Sequence, residues 1–155
     1  MRSSDFIGPN TQCYFELFGI PSAGYSALWL GQDCRVSGRT STTFEILPVN
    51  AAMARDTFER AGVTEVVHSV EADFLTLADE FNDIAFRIID AEKDVYEACY
   101  EIGIPRMVSG RILITDDATS HQVDLQDALQ RAFDDNRVDA MIATVGKGGL
   151  LCRKL

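Results

Sequence analysis

Short apolar segments alternate with amphipathic ones along most of the chain, and this pattern predicts the order of strands and helices. Compact runs of β-branched or aromatic residues, bounded by glycine or acidic residues, are typical of strands. Segments whose apolar residues recur every three or four positions are typical of helices. The predicted strands are 13–19, 39–47, 65–73, 84–90, 110–117 and two strands within 138–155. The predicted helices are 24–31, 48–62, 76–81, 93–102 and 123–135.

The segment that follows Pro48 shows the helical pattern most clearly. Proline is favoured at the first position of a helix, and Gly62 supplies a C-terminal stop. Four residues between these two fall on one helical face: Ala51, Ala54, Phe58 and Ala61. We also expect Trp29 and Cys99 to pack in the core from their own helices.

The strand–helix alternation ends in two strands joined by a glycine-rich turn at 146–149, which predicts a hairpin. This order is typical of an open α/β sheet. We therefore expect a mostly parallel, seven-stranded sheet with helices on both faces and a C-terminal antiparallel hairpin. The 155 residues suffice for one hydrophobic core, so we expect a single domain over 1–155.

Composition narrows the class of protein. The chain is 46% hydrophobic and 25% charged, as in globular domains, and it has no apolar run of membrane-spanning length. The first ten residues lack the apolar core of a secretion signal. Four cysteines without CxxC spacing predict reduced thiols and no zinc site. We therefore expect a cytoplasmic protein that does not bind membranes.

The formal net charge of −10 disfavours nucleic-acid binding, because phosphate contacts need clustered lysine and arginine. The acids themselves form a pattern, since one or two follow nearly every predicted strand: Glu45, Asp73, Asp90, Asp116 and Asp117. A solvated loop acid is the commoner explanation at any one position. The set favours a ligand site, because ligands bind at the carboxyl ends of parallel strands and gathered like charges repel unless compensated.

The positions of these acids suggest separate roles. Glu45 ends the second strand about 20 residues after a glycine-bearing loop, where an acid can bind ribose hydroxyls of a nucleotide-like cofactor. Carboxylates at 90, 116 and 117 would offer the oxygen ligands that Mg²⁺ or Ca²⁺ prefers. Lys93 lies one turn beyond Asp90 and is placed to act as a general base in the same pocket. We expect Glu92 and Asp94 to be solvated acids at a helix start.

Five segments together resemble a known family: "GYSALWL", "FEILPVNAAMARDTFERAGV", "IIDAEKDVY", "LITDDA" and "RVDAMIATVGKGGLLCRK". In this order they resemble class I S-adenosylmethionine-dependent O-methyltransferases, above all the cation-dependent catechol and caffeoyl-CoA branch. The resemblance runs from Tyr14 to Lys154. It implies a Rossmann-like fold, S-adenosylmethionine as cofactor, a divalent cation, Mg²⁺ or Ca²⁺, and methylation of a hydroxyl on a small phenolic or catechol-like acceptor.

The resemblance also implies roles for individual residues. The loop from Gly19 to Gly24, with Tyr25 and Ser26, matches the segment that cradles the methionine moiety of the cofactor. Glu45 matches the ribose-binding acid, and Asp73 matches the acid near the adenine. Asp90 matches the first metal ligand, which also contacts the cofactor, and Lys93 matches the catalytic lysine. Asp116 and Asp117 match an Asp-Asn pair that completes the metal site.

Three departures from the family pattern bear on function. The loop "ELFGIPSAGYS" is about two residues longer than usual and contains Pro21, and Asp117 stands where the family has asparagine. Only about a dozen residues precede the first strand, so we expect the family's N-terminal lid helices to be absent. An alternative therefore stays open: a non-catalytic, S-adenosylmethionine-binding or scaffold module. The joint presence of Asp90, Lys93 and the 116–117 pair favours the enzyme. A homodimer is a candidate oligomeric state.

Overall fold

The computed structural model describes residues 24–116, 118, 120–121 and 123–155, together with the backbone of 12–17. The strands are β1 (Gln12–Leu17), β2 (Ser41–Glu45), β3 (Val67–Glu71), β4 (Ile84–Asp90), β5 (Met107–Thr115), β6 (Val138–Ala143) and β7 (Gly149–Lys154). The helices are α1 (Tyr25–Ser37), α2 (Pro48–Ala61), α3 (Phe74–Leu77), α4 (Tyr96–Gly103) and α5 (Gln126–Phe133). Short 3-10 turns cover Ala78–Glu80, Lys93–Val95 and Ile104–Arg106.

The strands lie in the order β3-β2-β1-β4-β5-β7-β6. Neighbouring strands run parallel from β3 to β5, whereas β7 is antiparallel to both β5 and β6. The α/β, Rossmann-like class and the antiparallel C-terminal pair are therefore confirmed. Since β1 to β5 are parallel, their carboxyl ends share one edge of the sheet, which is where such sheets bind ligands.

Alternation along β4 explains why helices cover both faces. Arg87 and Ile89 are fully buried, and Ile89 belongs to the main core with residues of α4 and α5. Phe86 and Ile88 point to the other face and pack with Cys34 of α1. A period of two in the burial of side chains is what a strand between two layers requires.

Helix boundaries follow local packing more than the sequence pattern. We expected α1 to end at Gly31, but it continues to Ser37 and is capped by Gly38 in a left-handed conformation. A Cβ at Gly31 would lie 2.5 Å from Cγ2 of Val67, so this glycine serves close packing inside the helix. In contrast, α2 begins at Pro48 and is capped by Gly62, as predicted. Cys99 is buried, also as predicted, whereas Trp29 is 62% exposed, so its predicted core packing is wrong.

A buried polar network joins α4, α5 and the start of β6. The carboxylate of Asp135 accepts hydrogen bonds from the Tyr100 hydroxyl (2.9 Å) and from the backbone N–H of Arg137 (2.8 Å), as well as from the Arg137 guanidinium. The guanidiniums of Arg137 and Arg131 both pair with Glu101. Hydrogen bonds from Arg137 hold the pKa of Asp135 well below its usual range, and burial together with the Asp135 acceptor raises that of Tyr100.

No helix in the described ranges is long and apolar enough to cross a membrane.

Candidate functional site

Two cavities lie at the carboxyl edge of the sheet, and both border the segment 90–95, which begins at the last residue of β4. The first, here called the Glu45 cavity, has a volume of about 340 Å³ and is lined by residues Glu45, Ile46, Leu47, Asp73, Leu75, Glu92, Asp94 and Val95. The second, the Asp90 cavity, has a volume of about 300 Å³. Its lining includes Ser26, Asp90, Asp116, Gly148 and Gly149, with an apolar wall of Ile88, Ile114 and Leu151.

Two acids of the Glu45 cavity are oriented by backbone amides. Glu45 ends β2, is buried, and accepts a hydrogen bond from the N–H of Leu47 at 2.8 Å. Asp73 is the N-cap of α3 and accepts from the N–H of Leu75 at 2.8 Å. Such charge-assisted bonds fix a carboxylate without neutralising it. The structure therefore brings the predicted ribose and adenine acids into one cavity.

Glu92 and Asp94 also border the Glu45 cavity. Both are exposed, as expected, but sequence reasoning gave them no part in a site. The signal that would have found them is the segment itself, because a loop that follows a strand at the carboxyl edge lies where such sheets bind ligands. Four carboxylates thus surround one cavity whose other walls are apolar.

Asp90 and Asp116 meet at the Asp90 cavity because β4 and β5 are neighbours. Asp90 is the last residue of β4, and the N–H of Asp116 donates to the carbonyl of Ile89 at 3.1 Å, which continues the β4–β5 ladder by one residue. Asp117, the third predicted metal ligand, lies outside the described residues. Within the described ranges, no group of three or more His, Cys, Asp or Glu side chains is arranged to hold a metal ion. Two of the three predicted carboxylates, Asp90 and Asp116, share a cavity.

We predicted that Lys93 lies in the first turn of an α-helix, but it lies in a 3-10 turn. Its Nζ donates to the carbonyl of Ala91 (3.4 Å) and to the hydroxyl of Tyr96 (3.1 Å), and it sits 4.7 Å from the centroid of the Tyr96 ring. Lys93 lines neither cavity. The Tyr96 hydroxyl in turn donates to the carbonyl of Asp116 at 3.4 Å, so Lys93 is connected to the wall of the Asp90 cavity through Tyr96.

The glycine turn between β6 and β7 forms another wall of the Asp90 cavity. The N–H of Ala118 donates to the carbonyl of Gly148 (2.9 Å), and the N–H of Ser120 donates to that of Lys147 (3.2 Å). A Cβ at Gly149 would lie 2.8 Å from the carbonyl oxygen of Thr115, so only glycine fits beside β5 here. Sequence reasoning assigned this turn to a hairpin and missed its place in the site.

The predicted methionine-binding loop is described only in part: Gly19 lies outside the described residues, whereas Gly24, Tyr25 and Ser26 are among them. Gly24 has φ 85° and precedes α1, and a Cβ there would lie 2.7 Å from the ring of Phe58. Ser26 borders the Asp90 cavity. Tyr25 is 61% exposed and makes an edge-to-face contact with Trp29 at 6.3 Å between ring centroids.

Comparison with known proteins adds a family match. A family model described as O-methyltransferase matches residues 18–155. This match confirms the family resemblance inferred from the five sequence segments, although not the cation-dependent branch. No curated sequence is significantly similar to the chain.

Several solved structures share the fold. A methyltransferase of Podospora anserina bound to SAH superposes with a TM-score of 0.81 at 20% identity, over 92% of this chain and 71% of that one. An O-methyltransferase of Bacillus cereus in complex with SAH gives 0.75 at 20% identity, over 91% and 74%. The O-methyltransferase TomG of Streptomyces achromogenes, in complex with SAM, gives 0.75 at 19% identity, over 94% and 74%. At these identities the likeness establishes the fold.

Proposed function

Because the chain belongs to the O-methyltransferase family, we propose that it transfers the methyl group of S-adenosylmethionine to a hydroxyl of a small phenolic, catechol-like acceptor. The observation that carries this proposal is the pair of acid-bearing cavities that border segment 90–95. The Glu45 cavity has the features of a nucleoside site, and the Asp90 cavity has the features of a site for a cation and a reacting group.

The Glu45 cavity suits the adenosine part of the cofactor. The carboxylate of Glu45, fixed by the N–H of Leu47, is placed to accept hydrogen bonds from two ribose hydroxyls. Leu47, Leu75 and Val95 offer apolar contacts for the adenine ring. Binding of SAH or SAM by the structurally similar proteins of B. cereus and S. achromogenes supports the same cofactor here.

The Asp90 cavity suits the charged end of the cofactor and the acceptor. S-adenosylmethionine carries a sulfonium and an ammonium group, and Asp90 and Asp116 offer carboxylates to compensate positive charge. Ser26 adds a hydroxyl, and Ile88 and Ile114 add an apolar wall against which an aromatic acceptor can lie.

The proposed reaction is a direct transfer of the methyl group from sulfur to oxygen. An oxygen lone pair of the acceptor attacks the sulfonium methyl carbon, the carbon–sulfur bond breaks, and its electron pair returns to sulfur as SAH forms. The hydroxyl proton passes to a base, for which we propose the side chain of Lys93. Since the sulfonium is already activated, alignment of the two reactants supplies much of the rate.

We further propose that Asp90, Asp116 and Asp117 hold a divalent cation. Two of these carboxylates lie at one cavity, which fits an oxygen-ligated ion. When bound, such a cation supplies Lewis acidity that lowers the pKa of an acceptor hydroxyl.

The test is detection of methylated product by mass spectrometry after incubation with S-adenosylmethionine, catechol and Mg²⁺. We expect product with the natural chain, loss of about a hundredfold or more in kcat/KM for Asp90→Asn, and no loss for Asp56→Asn, which alters an exposed acid of α2 that pairs with Arg60. Omission of Mg²⁺ with added chelator tests the cation separately. Binding of SAH without methylation of catechol or other phenols would favour the non-catalytic module instead.

A further inference from the structure

The turn that contains Lys93 determines which neighbour its side chain meets. In a 3-10 turn there are three residues per turn, so side chains at positions i and i+3 eclipse each other. Lys93 opens such a turn, and the residue three positions later is Tyr96, where α4 begins. The 3-10 geometry therefore stacks the lysine side chain directly over the tyrosine.

Tyr96 contacts the ammonium group of Lys93 in two ways. Its hydroxyl oxygen lies 3.1 Å from Nζ, and its ring centroid lies 4.7 Å from the same atom. The first is a hydrogen bond donated by the ammonium, and the second is within the range of a cation–π interaction. The single proton of the Tyr96 hydroxyl is directed to the carbonyl of Asp116, so its donor and acceptor roles are compatible.

The two partners differ in mobility. Tyr96 is 3% exposed and packs in the main core cluster, which fixes its ring. Lys93 is half-buried and carries a long side chain, which loses rotamer freedom when it is held in one position. Because the Tyr96 ring is fixed, its contacts with the Lys93 amine restrict the movement of the lysine side chain. The hydrogen bond from Tyr96 to Asp116 places both residues near the end of β5.

We infer that Tyr96 is a positioning residue, which holds the amine of Lys93 one hydrogen-bonded residue away from Asp116 in the wall of the Asp90 cavity. The inference rests on the proposed function, in which Lys93 accepts the acceptor's proton. Tyr96 itself touches the lysine and the backbone of Asp116, and it lines neither cavity. Its effect on the reaction therefore acts through the placement of Lys93.

The first test reads the position of Lys93 without any reaction. The chain has three lysines, Lys93, Lys147 and Lys154, so reductive methylation with ¹³C-formaldehyde labels only these side chains and the N-terminal amine and gives a simple NMR spectrum. The methyl resonance of Lys93, identified in Lys93→Arg, should lie upfield of the other two because of the Tyr96 ring current. It should move partly toward them in Tyr96→Phe and coincide with them in Tyr96→Leu. Tyr100→Phe is the matched control. It removes a hydroxyl from the same helix, but that hydroxyl donates to Asp135 and not to a partner of Lys93.

The second test is kinetic and uses catechol with S-adenosylmethionine and Mg²⁺. Tyr96→Phe keeps the ring and the fold, and we expect kcat to fall about tenfold, the value of one hydrogen bond, with the Kd for SAH unchanged. A resonance of Lys93 that coincides with those of Lys147 and Lys154 in the natural chain, or that stays in place in both Tyr96 variants, would overturn the inference. An upfield resonance in a chain that methylates nothing would keep the positioning role and refute the proposed function.

Discussion

Two regions of the molecule are rich in carboxylates, but the surroundings of those carboxylates differ. Around α4 and α5, the Asp135 carboxylate is 2% exposed and surrounded by donors from Tyr100, Arg137 and Arg131. At the carboxyl edge, Glu45 and Asp90 border cavities instead. A carboxylate surrounded by protein donors stabilises the fold, whereas one that borders a cavity can also contact a ligand. The difference teaches that acid content alone does not mark a site; the surroundings of each acid do.

Removal of the Asp135 side chain should have the largest effect on stability. Asp135→Ala leaves Tyr100 and Arg137 without their common acceptor, and breaking such a buried pair costs about 3 to 5 kcal/mol. Denaturant unfolding should show this loss. Asp134→Ala, an exposed neighbour that accepts only from Gln130 among the contacts described, should change the unfolding free energy by less than about 0.5 kcal/mol. Equal losses in the two variants would contradict a structural role for this network.

Acid should weaken the same network through protonation. Because hydrogen bonds from Arg137 lower the pKa of Asp135 in the folded state, its contribution is complete above the unfolded value of about 3.9 and is lost as pH falls toward the folded one. The natural chain should therefore lose stability below about pH 4 more steeply than Asp135→Asn. Unfolding free energies measured between pH 6 and pH 3 check this, and parallel curves would refute it.

Asp90→Asn should distinguish the two forms of the cofactor. Only S-adenosylmethionine has the positive sulfonium, so loss of the Asp90 charge should weaken its binding by several-fold more than that of SAH. Calorimetry with both ligands measures the two constants. Equal weakening would mean that Asp90 does not face the sulfonium.

Glu92→Gln should have the smallest effect. Glu92 borders the Glu45 cavity but is exposed, and water screens its charge. We expect a change in SAH binding of about 0.5 kcal/mol or less, which diminishes as salt is added. A larger effect would indicate that Glu92 makes direct contact with the ligand.

Sequence reasoning predicted what depends on periodicity and on chain order. The strand 84–90 ends in Asp90 as predicted, and parallel pairing then brings Asp90 next to Asp116. It failed where tertiary packing decides the outcome. Nothing local marks Gly31 as an interior glycine, since the reason is its contact with Val67.

The Asp135 network and the contact between Lys93 and Tyr96 were missed for related physical reasons. Asp135 and Tyr100 are 35 residues apart, and no periodic pattern links a polar residue in a helix to one beyond the next helix. The difference between a 3-10 turn and an α-helical turn at Lys93 lies in a change of about 10–20° in ψ, which residue propensities do not resolve. The exposed Trp29 shows the converse, because a large apolar residue in a helix is not always in the core.

We propose that the Glu45 cavity binds the cofactor, and calorimetric titration with SAH measures this binding without any reaction. Glu45→Gln keeps an oxygen for the N–H of Leu47 but removes the charge that would hold the ribose hydroxyls. Glu71→Gln is the matched control, because Glu71 is the register partner of Glu45 at the end of β3, is exposed, and pairs with Arg55. We predict binding by the natural chain, weakening by about tenfold or more in Glu45→Gln, and no change in Glu71→Gln. Absence of SAH binding by the natural chain, or equal affinities in the two variants, would contradict the account.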